Sequence, residues 1–377
     1  MKDFQSGSYR VQLSGYQSFS PNPINRQWVI DDPGLITLLS EADRQIGSLD
    51  MYSRYVPNVD LFIKMHVIKE ATTSSRIEGT KTNIQEALME ERDLNPEKRD
   101  DWKEVQNYIG AMNFAIAELE RLPLSSRLIR ETHRILLSGA RGAHKMPGEF
   151  RQSQNWIGGA TLKDATFIPP HHSEVPDLIS DLEKFIHNKQ ILFPPLLKIA
   201  LIHYQFETIH PFLDGNGRIG RLLITLFMVH EGLLHKPILY LSDFLDRHRQ
   251  LYFDHLSSVR INHNMDSWFR FFLTGVIETA RKASTTLGEI IQLRQHLEGE
   301  KILTLGVQAK KARILLDHLY QRPIVDGSEV ATITGYSLPT AYKLIDAFQQ
   351  LEILVETTGF QRNRKFLFQP YIELFQG

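Results

Sequence analysis

Apolar residues recur at helical spacing along most of the chain, from about residue 33 to 281. Leu196, Ile199, Ile202 and Phe206, three or four apart, trace one buried stripe of such a helix. The punctuation agrees. Thr82-Asn83-Ile84-Gln85 fits a capping box, Pro195 suits a first helical turn, and Gly232 closes a helix predicted over residues 221–231. The period breaks at residues 155–170, rich in Gly and β-branched residues and ended by Pro169-Pro170, which predicts a β-hairpin. Residues 1–30 are polar, carry Ser20-Pro21-Asn22-Pro23, and predict an irregular arm.

After Lys301 the pattern changes. Helical stretches at 308–321 and 328–334 precede Gly335-Tyr336, and Ser337 caps a third helix reaching about Leu351. Residues 353–357 and 365–369 alternate as strands do. Three helices followed by a hairpin describe a winged helix. The fold class is therefore mainly α: a helical bundle with a small β-hairpin, followed by a C-terminal winged-helix domain. The expected divisions are residues 1–58 (arm and first helix), 59–298 (bundle) and 301–377 (winged helix).

Composition narrows the function. A net charge of −1 over 377 residues gives no global field toward nucleic acid or anionic lipid. The absence of cysteine excludes a disulfide framework, a thiolate metal site and a cysteine nucleophile. No stretch approaches the roughly 18 apolar residues of a membrane span, and no leader-like apolar run opens the chain. These features predict a soluble, cytoplasmic protein without membrane association.

The chemistry is concentrated in His210-Pro211-Phe212-Leu213-Asp214-Gly215-Asn216-Gly217-Arg218-Ile219-Gly220-Arg221. This segment joins two predicted helices, so backbone N–H groups at the second helix's start face outward, and two glycines let a ligand come close. That is an anion site, with phosphate its common occupant. Arg218 and Arg221, three apart, share a face in the first turn, where the helix dipole disfavours cations. A polyphosphate would compensate them. Asp214 offers the hard oxygen that Mg²⁺ takes when it bridges phosphates. His210 can be neutral at pH 7 and accept a hydroxyl proton. Phe212 anchors the loop. Together these residues spell phosphoryl or nucleotidyl transfer.

The segment resembles, without a departure, the signature of the Fic (Fic/Doc) family, His-Pro-Phe-x-Asp-Gly-Asn-Gly-Arg-x-x-Arg. The resemblance extends from about Asp60 to Ala280. It implies an adenylyltransferase that moves AMP from ATP to a Ser, Thr or Tyr hydroxyl of a target protein, or of itself, releasing pyrophosphate. By resemblance His210 is the general base, Asp214 holds Mg²⁺, and Gly215, Asn216, Gly217, Arg218, Ile219, Gly220 and Arg221 bind the nucleotide. The family places adenine and ribose contacts within 243–259, where Tyr252 is the candidate for stacking on the base. Residues 155–170 lie where the family has its flap, which pairs with the target as an added strand; Ala165, Thr166, Phe167 and Ile168 are the candidates. Ser74-Ser75-Arg76-Ile77-Glu78-Gly79 resembles the family's inhibitory motif, whose glutamate pairs with the second signature arginine, here Glu78 with Arg221. An inhibitory helix over about 59–79 would then restrain the enzyme.

Alternatives stand beside this reading. The same residues would serve removal of AMP from a modified protein. A DNA-binding regulator using the bundle as a sensor is another, yet the recognition helix carries only Lys343, with Arg362, Arg364 and Lys365 on the wing and Lys310, Lys311 and Arg313 on the first helix. DNA affinity leans on phosphate neutralisation, so target recognition or dimer packing suits the winged helix better. A homodimer is an expected assembly. His171-His172, without a third ligand nearby, reads as a loop or helix cap, and His203 as a hydrogen-bonded core histidine.

Overall fold

The computed structural model describes residues 4–55, 59–139, 142–359 and 364–375. In place of an irregular arm, the chain opens with an antiparallel hairpin, β1 (Gly7–Val11) and β2 (Gln17–Pro21), with Tyr9 opposite Phe19. Its buried face is largely serine, which reads as polar in sequence. Ser18 Oγ accepts from Gln12 Nε2 at 2.7 Å, and Ser20 Oγ donates to Glu174 Oε2 at 2.5 Å. Satisfied hydroxyls can be buried cheaply, so hydrophobicity does not reveal this sheet.

The helices that follow are α1 (Pro33–Tyr55), α2 (Val59–Ile77), α3 (Ile84–Leu88), α4 (Arg99–Glu118) and α5 (Ser126–Leu136). Beyond residues 155–170 come α6 (Val175–His187), α7 (Pro195–Ile209), α8 (Asn216–His230), α9 (Ser242–Arg247), α10 (Arg249–Asn262) and α11 (Met265–His296). α7 runs through the middle, and Leu196 through Ile209 are all buried. A helix enclosed on every side has no solvated face, so the polar residues α7 carries, Lys198, His203, Gln205, Glu207 and Thr208, are buried with the rest. α1 packs along α11 through Leu35, Leu39, Ala42, Ile46 and Leu49.

The helix signals hold with small shifts. Pro195 is the first residue of α7. The capping box of α3 sits one residue later than expected: Asn83 Oδ1 accepts from Glu86 N, and Glu86 Oε2 accepts from Asn83 N. Asn83 wins because its partner at the third helical position is Glu86, with a carboxylate to return the bond. Gly232 closes α8 at φ +69°, with its N–H donating to Val229 O and that of Leu233 to Met228 O, the Schellman arrangement.

Residues 309–373 form α12 (Ala309–Gln321), β3 (Ile324–Asp326), α13 (Gly327–Thr334), α14 (Leu338–Gln350), β4 (Leu354–Glu356), β5 (Lys365–Phe368) and α15 (Gln369–Glu373). The three expected helices and the hairpin are present. β3 adds a third strand, in the order β3-β5-β4, too short to carry a period. Of the wing cations, Arg362 lies outside the described residues. Arg364 donates to Glu356 at 2.5 Å, and buried Lys365 lies 3.1 Å from Asp326 and 3.4 Å from Asp93. Both are committed within the chain. This C-terminal unit rests on α2, where the Phe375 ring lies 5.2 Å from His66 and 6.3 Å from Phe62.

Candidate active site

α7 ends at His210, which takes the left-handed conformation at φ 50°. That backbone is uncommon outside glycine, though histidine is among the residues enriched there, and the surroundings hold it. The His210 carbonyl accepts from Arg151 Nε at 2.9 Å and from Asn155 Nδ2 at 3.1 Å. On the side chain, Nδ1 lies 3.3 Å from the Glu207 carbonyl. A carbonyl only accepts, so Nδ1 carries the proton and Nε2 keeps its lone pair. Burial lowers the imidazole to about 4, so it is neutral at pH 7, the state a general base requires.

Phe212 is fully buried and stacks on His133, centroids 3.7 Å apart. Asn216 straddles the Phe212 backbone, accepting from its N–H at 2.8 Å and donating to its carbonyl at 2.9 Å. Its side chain therefore shapes the loop and is not open to a ligand. Gly215, at φ +77°, immediately precedes α8.

Arg218 and Arg221 start on the same turn but turn to different partners. Arg218 lies 3.3 Å from Glu104 of α4 and 3.5 Å from Asp214. Arg221 donates through Nε to Ser74 Oγ at 2.8 Å, and through Nη2 to Ser74 O at 2.9 Å and Glu78 Oε1 at 2.6 Å. Two cations at a helix start are here compensated by carboxylates from other helices. Burial pushes the Glu78 carboxyl up, but Arg221, with Arg218 and His210, outweighs it and holds the group below its ordinary value. Glu78 follows the last turn of α2, and Gly79 closes that helix at φ +108°, with Gly79 N–H on Arg76 O and Thr80 N–H on Ser75 O. Gly217 makes room: a Cβ there would collide with Glu78 Oε1.

Three residues complete the site without having been singled out for it. Buried Arg151 spreads its guanidinium over the carbonyls of His210, Ile209 (3.3 Å), Pro170 (2.6 Å) and Ser153 (3.3 Å). Its role needs the folded loop. His133 accepts from Gly148 N–H at Nδ1 and so donates from Nε2 to the Asp214 carbonyl, both at 2.9 Å. Nothing in α5 marks it. Glu207, one turn before His210, is buried with Oε1 unpartnered, and burial raises its carboxyl to about 7.

Other expected site residues fall elsewhere. Ile219 is core. Gly220 faces Glu207, whose Oε1 occupies the space of a Cβ. Tyr252 is 1% exposed, with its hydroxyl 2.9 Å from His203 Nε2; a ring so enclosed offers no face to a base. His203 is the hydrogen-bonded core residue expected, its Nδ1 donating to Gly220 O at 2.9 Å. His171 caps a short helical turn through Ser173. Residues 155–170 double back with one bridge, Ile157 to Phe167, and no extended strands. Phe167 is buried near Phe19 under the Arg260 guanidinium (3.9 Å), and Ile168 O accepts from Phe19 N–H at 2.9 Å. The N-terminal hairpin thus anchors this segment, and Ala165 and Thr166 remain its more accessible part.

For a divalent cation the chain offers Asp214, half-exposed, whose hydrogen bonds from Gly215 N–H and Arg218 both fall on Oδ1. One carboxylate beside a phosphate site fits Mg²⁺, which takes its remaining ligands from phosphate oxygens and water. Among the described residues no cluster of three or more metal-ligating side chains exists, and no helix is long and apolar enough to cross a membrane.

Comparison with known proteins gives matches along the same stretch. The N-terminal pattern of the Fic/DOC family matches residues 36–117, and the family's main pattern matches 123–228. A protein adenylyltransferase Fic of Aedes aegypti is 36% identical over 110 residues, 29% of this chain and 19% of that protein. One from Drosophila erecta is 31% identical over 138 residues, 35% of this chain and 26% of that protein. The chain thus spans about a quarter or less of the curated relatives it matches. Among solved structures, a Fic family protein from Desulfovibrio desulfuricans superposes with TM-score 0.57 at 19% identity, over 91% of this chain and 98% of that one. A Fic domain containing signaling protein from Bacteroides thetaiotaomicron gives 0.54 at 21%, over 67% and 97%.

Proposed function

Because this chain belongs to the Fic/DOC family, we propose that it transfers AMP from ATP to a hydroxyl side chain of a protein and that Glu78 restrains it. One observation carries this reading: His210 presents an unprotonated Nε2 beside the N-terminus of α8, and the arginine that would hold the end of the triphosphate is gripped by Glu78. In the forward reaction Nε2 takes the proton of the target hydroxyl. The oxygen bonds to the α-phosphorus, the bond from that phosphorus to the bridging oxygen breaks, and pyrophosphate leaves. The backbone N–H groups of Asn216 and Gly217 and the Arg218 guanidinium hold the phosphates. Mg²⁺, held by Asp214, would screen the triphosphate's charge. While Glu78 occupies Arg221, the γ-phosphate lacks its clamp and meets a like charge, so the α-phosphorus is misaimed.

Removal of AMP from a modified protein is the second reading. It draws support from the exposure of Glu78, whose side chain is 40% accessible while that of Arg221 is 2%, so a water can stand against the carboxylate. Incubating Glu78→Gly with α-labelled ATP and cell lysate, beside Glu78→Gly/His210→Ala, tests both readings. The first expects label on protein with Glu78→Gly, and its loss, by about 10²–10⁴-fold in rate, without the base. No gain over the parent chain would sink restraint by Glu78. Label stripped by the parent but not by Glu78→Gly would favour removal.

A further inference from the structure

We propose that the side of α2 turned away from Arg221 forms a second binding site, for a small phosphate-bearing anion, whose occupant fastens α2 in its present position. The site stands on its own geometry; its effect on catalysis rests on the restraint proposed above.

α2 carries two opposite working faces. Ser74 and Glu78 grip Arg221 on one. On the other, Lys69, Thr72, Thr73 and Arg76 line a pocket of about 330 Å³ closed by Asn83, Asp243 of α9 and Phe375. A chamber of about 30 Å³ shares Lys69, Thr73, Asp243 and Phe375 with it and reaches His66, Tyr240 and Lys282. The larger volume suits a small organic molecule.

The charge around this space is unbalanced. Three cations converge on one carboxylate: Lys282 Nζ lies 3.1 Å, Arg247 Nε 3.5 Å and Lys69 Nζ 4.0 Å from Asp243. At the rim Arg76 pairs with Asp246 at 2.8 Å, and Arg247 is 3.8 Å from Glu278. Four cations thus face the three carboxylates of Asp243, Asp246 and Glu278. Glu70 lines the smaller chamber and not the larger pocket, and its oxygens accept from the hydroxyls of Ser242 and Tyr108. Burial lowers Lys69 to about 8. Deeper in, Tyr240 Oη and His66 Nε2 have no hydrogen-bond partner, and a buried polar group in that state is destabilising. An anion in the pocket would meet the excess charge. An ester's carbon skeleton would lie on Ile84 and Phe375. The cations stand on α2, α9 and α11, so neutralising them draws these helices together and favours docked α2.

The test uses the full chain and two probes, inorganic phosphate and glycerol 3-phosphate, titrated separately, with tungstate soaked into crystals. A tungstate peak against Lys69 and Lys282 is expected. At ten times its dissociation constant, the tighter probe should slow hydrogen exchange of the amides at 74–80 about tenfold. Tighter binding of glycerol 3-phosphate identifies an organic ester as the ligand, and equal binding identifies phosphate itself. Lys69→Gln/Lys282→Gln should lose both effects, yet melt no lower than the parent without anion, because its cations repel. Arg76→Gln, at the exposed rim, should weaken the effects without abolishing them. No peak in this pocket, or equal slowing in the double variant, overturns the proposal. Neither readout requires AMP transfer, so failure here and failure of the proposed reaction are separate results.

Discussion

Glu78 Oε1 and Arg221 Nη2 lie 2.6 Å apart across Gly217, the residue whose missing side chain leaves the carboxylate its place. Gly217→Ala puts a Cβ against that oxygen and close to Arg221 Nη1. Both are ends of flexible side chains, so the carboxylate should swing aside and the helix survive. Gly217→Ala is expected to cost about 1 kcal/mol, the upper range for a partly exposed pair, and much less in Glu78→Gly. Thermal melts of the two single variants and the double variant measure this coupling. Equal costs in both backgrounds would contradict it.

Arg151→Ala should leave four carbonyls without their shared donor. A loss of about 3 kcal/mol or more is expected, read by denaturant unfolding. Arg151→Lys keeps the charge but not the planar fork, so it should recover part of the stability. Because two of the four bonds end on the carbonyls of Ile209 and His210, AMP transfer in the Glu78→Gly background should fall more than stability does.

Burial holds His133, His203 and His210 down to about 4 and His66 to about 3. Each is neutral in the fold at pH values where the unfolded chain, near 6.5, already binds a proton. Stability should be insensitive to them above about pH 6.5 and fall as pH drops toward 4, by about 1.4 kcal/mol per pH unit for each histidine. Chemical unfolding between pH 4 and 7 would give this slope, and His203→Gln should lower it by about one proton.

Glu207 contributes with the opposite sign. Its carboxyl is raised to about 7, so between about 4.5 and 7 the folded chain holds a proton that the unfolded chain has released. The resulting stability is fully present below about pH 4.5 and lost as pH rises through 7. Glu207→Gln should flatten the decline between pH 5 and 8; an unchanged profile would assign the titration to another group.

Much of this was legible in the order of residues. α7 and α8 announce themselves by apolar period and caps, and the segment from His210 to Arg221 marks the candidate site by residue type and spacing. What stayed hidden depends on contacts between distant parts of the chain. The β1–β2 sheet buries serines, so no hydrophobic alternation betrays it. Arg151, His133 and Glu207 act through carbonyls and helices they meet only in the folded bundle. Tyr252 and Gly220 mislead for the same reason: one is enclosed beneath His203, and the other cedes its space to Glu207. A motif identifies a loop, whereas the direction each side chain takes is decided by its neighbours.

The guanidinium of Arg151 ties the end of the 155–170 segment, at Pro170, to the backbone of His210. In the proposed reaction, gripping a substrate protein at that segment and aiming the proton acceptor would be mechanically one act. A polypeptide that seats poorly there would then pull the imidazole off line, so discrimination between substrates would surface in turnover as much as in affinity.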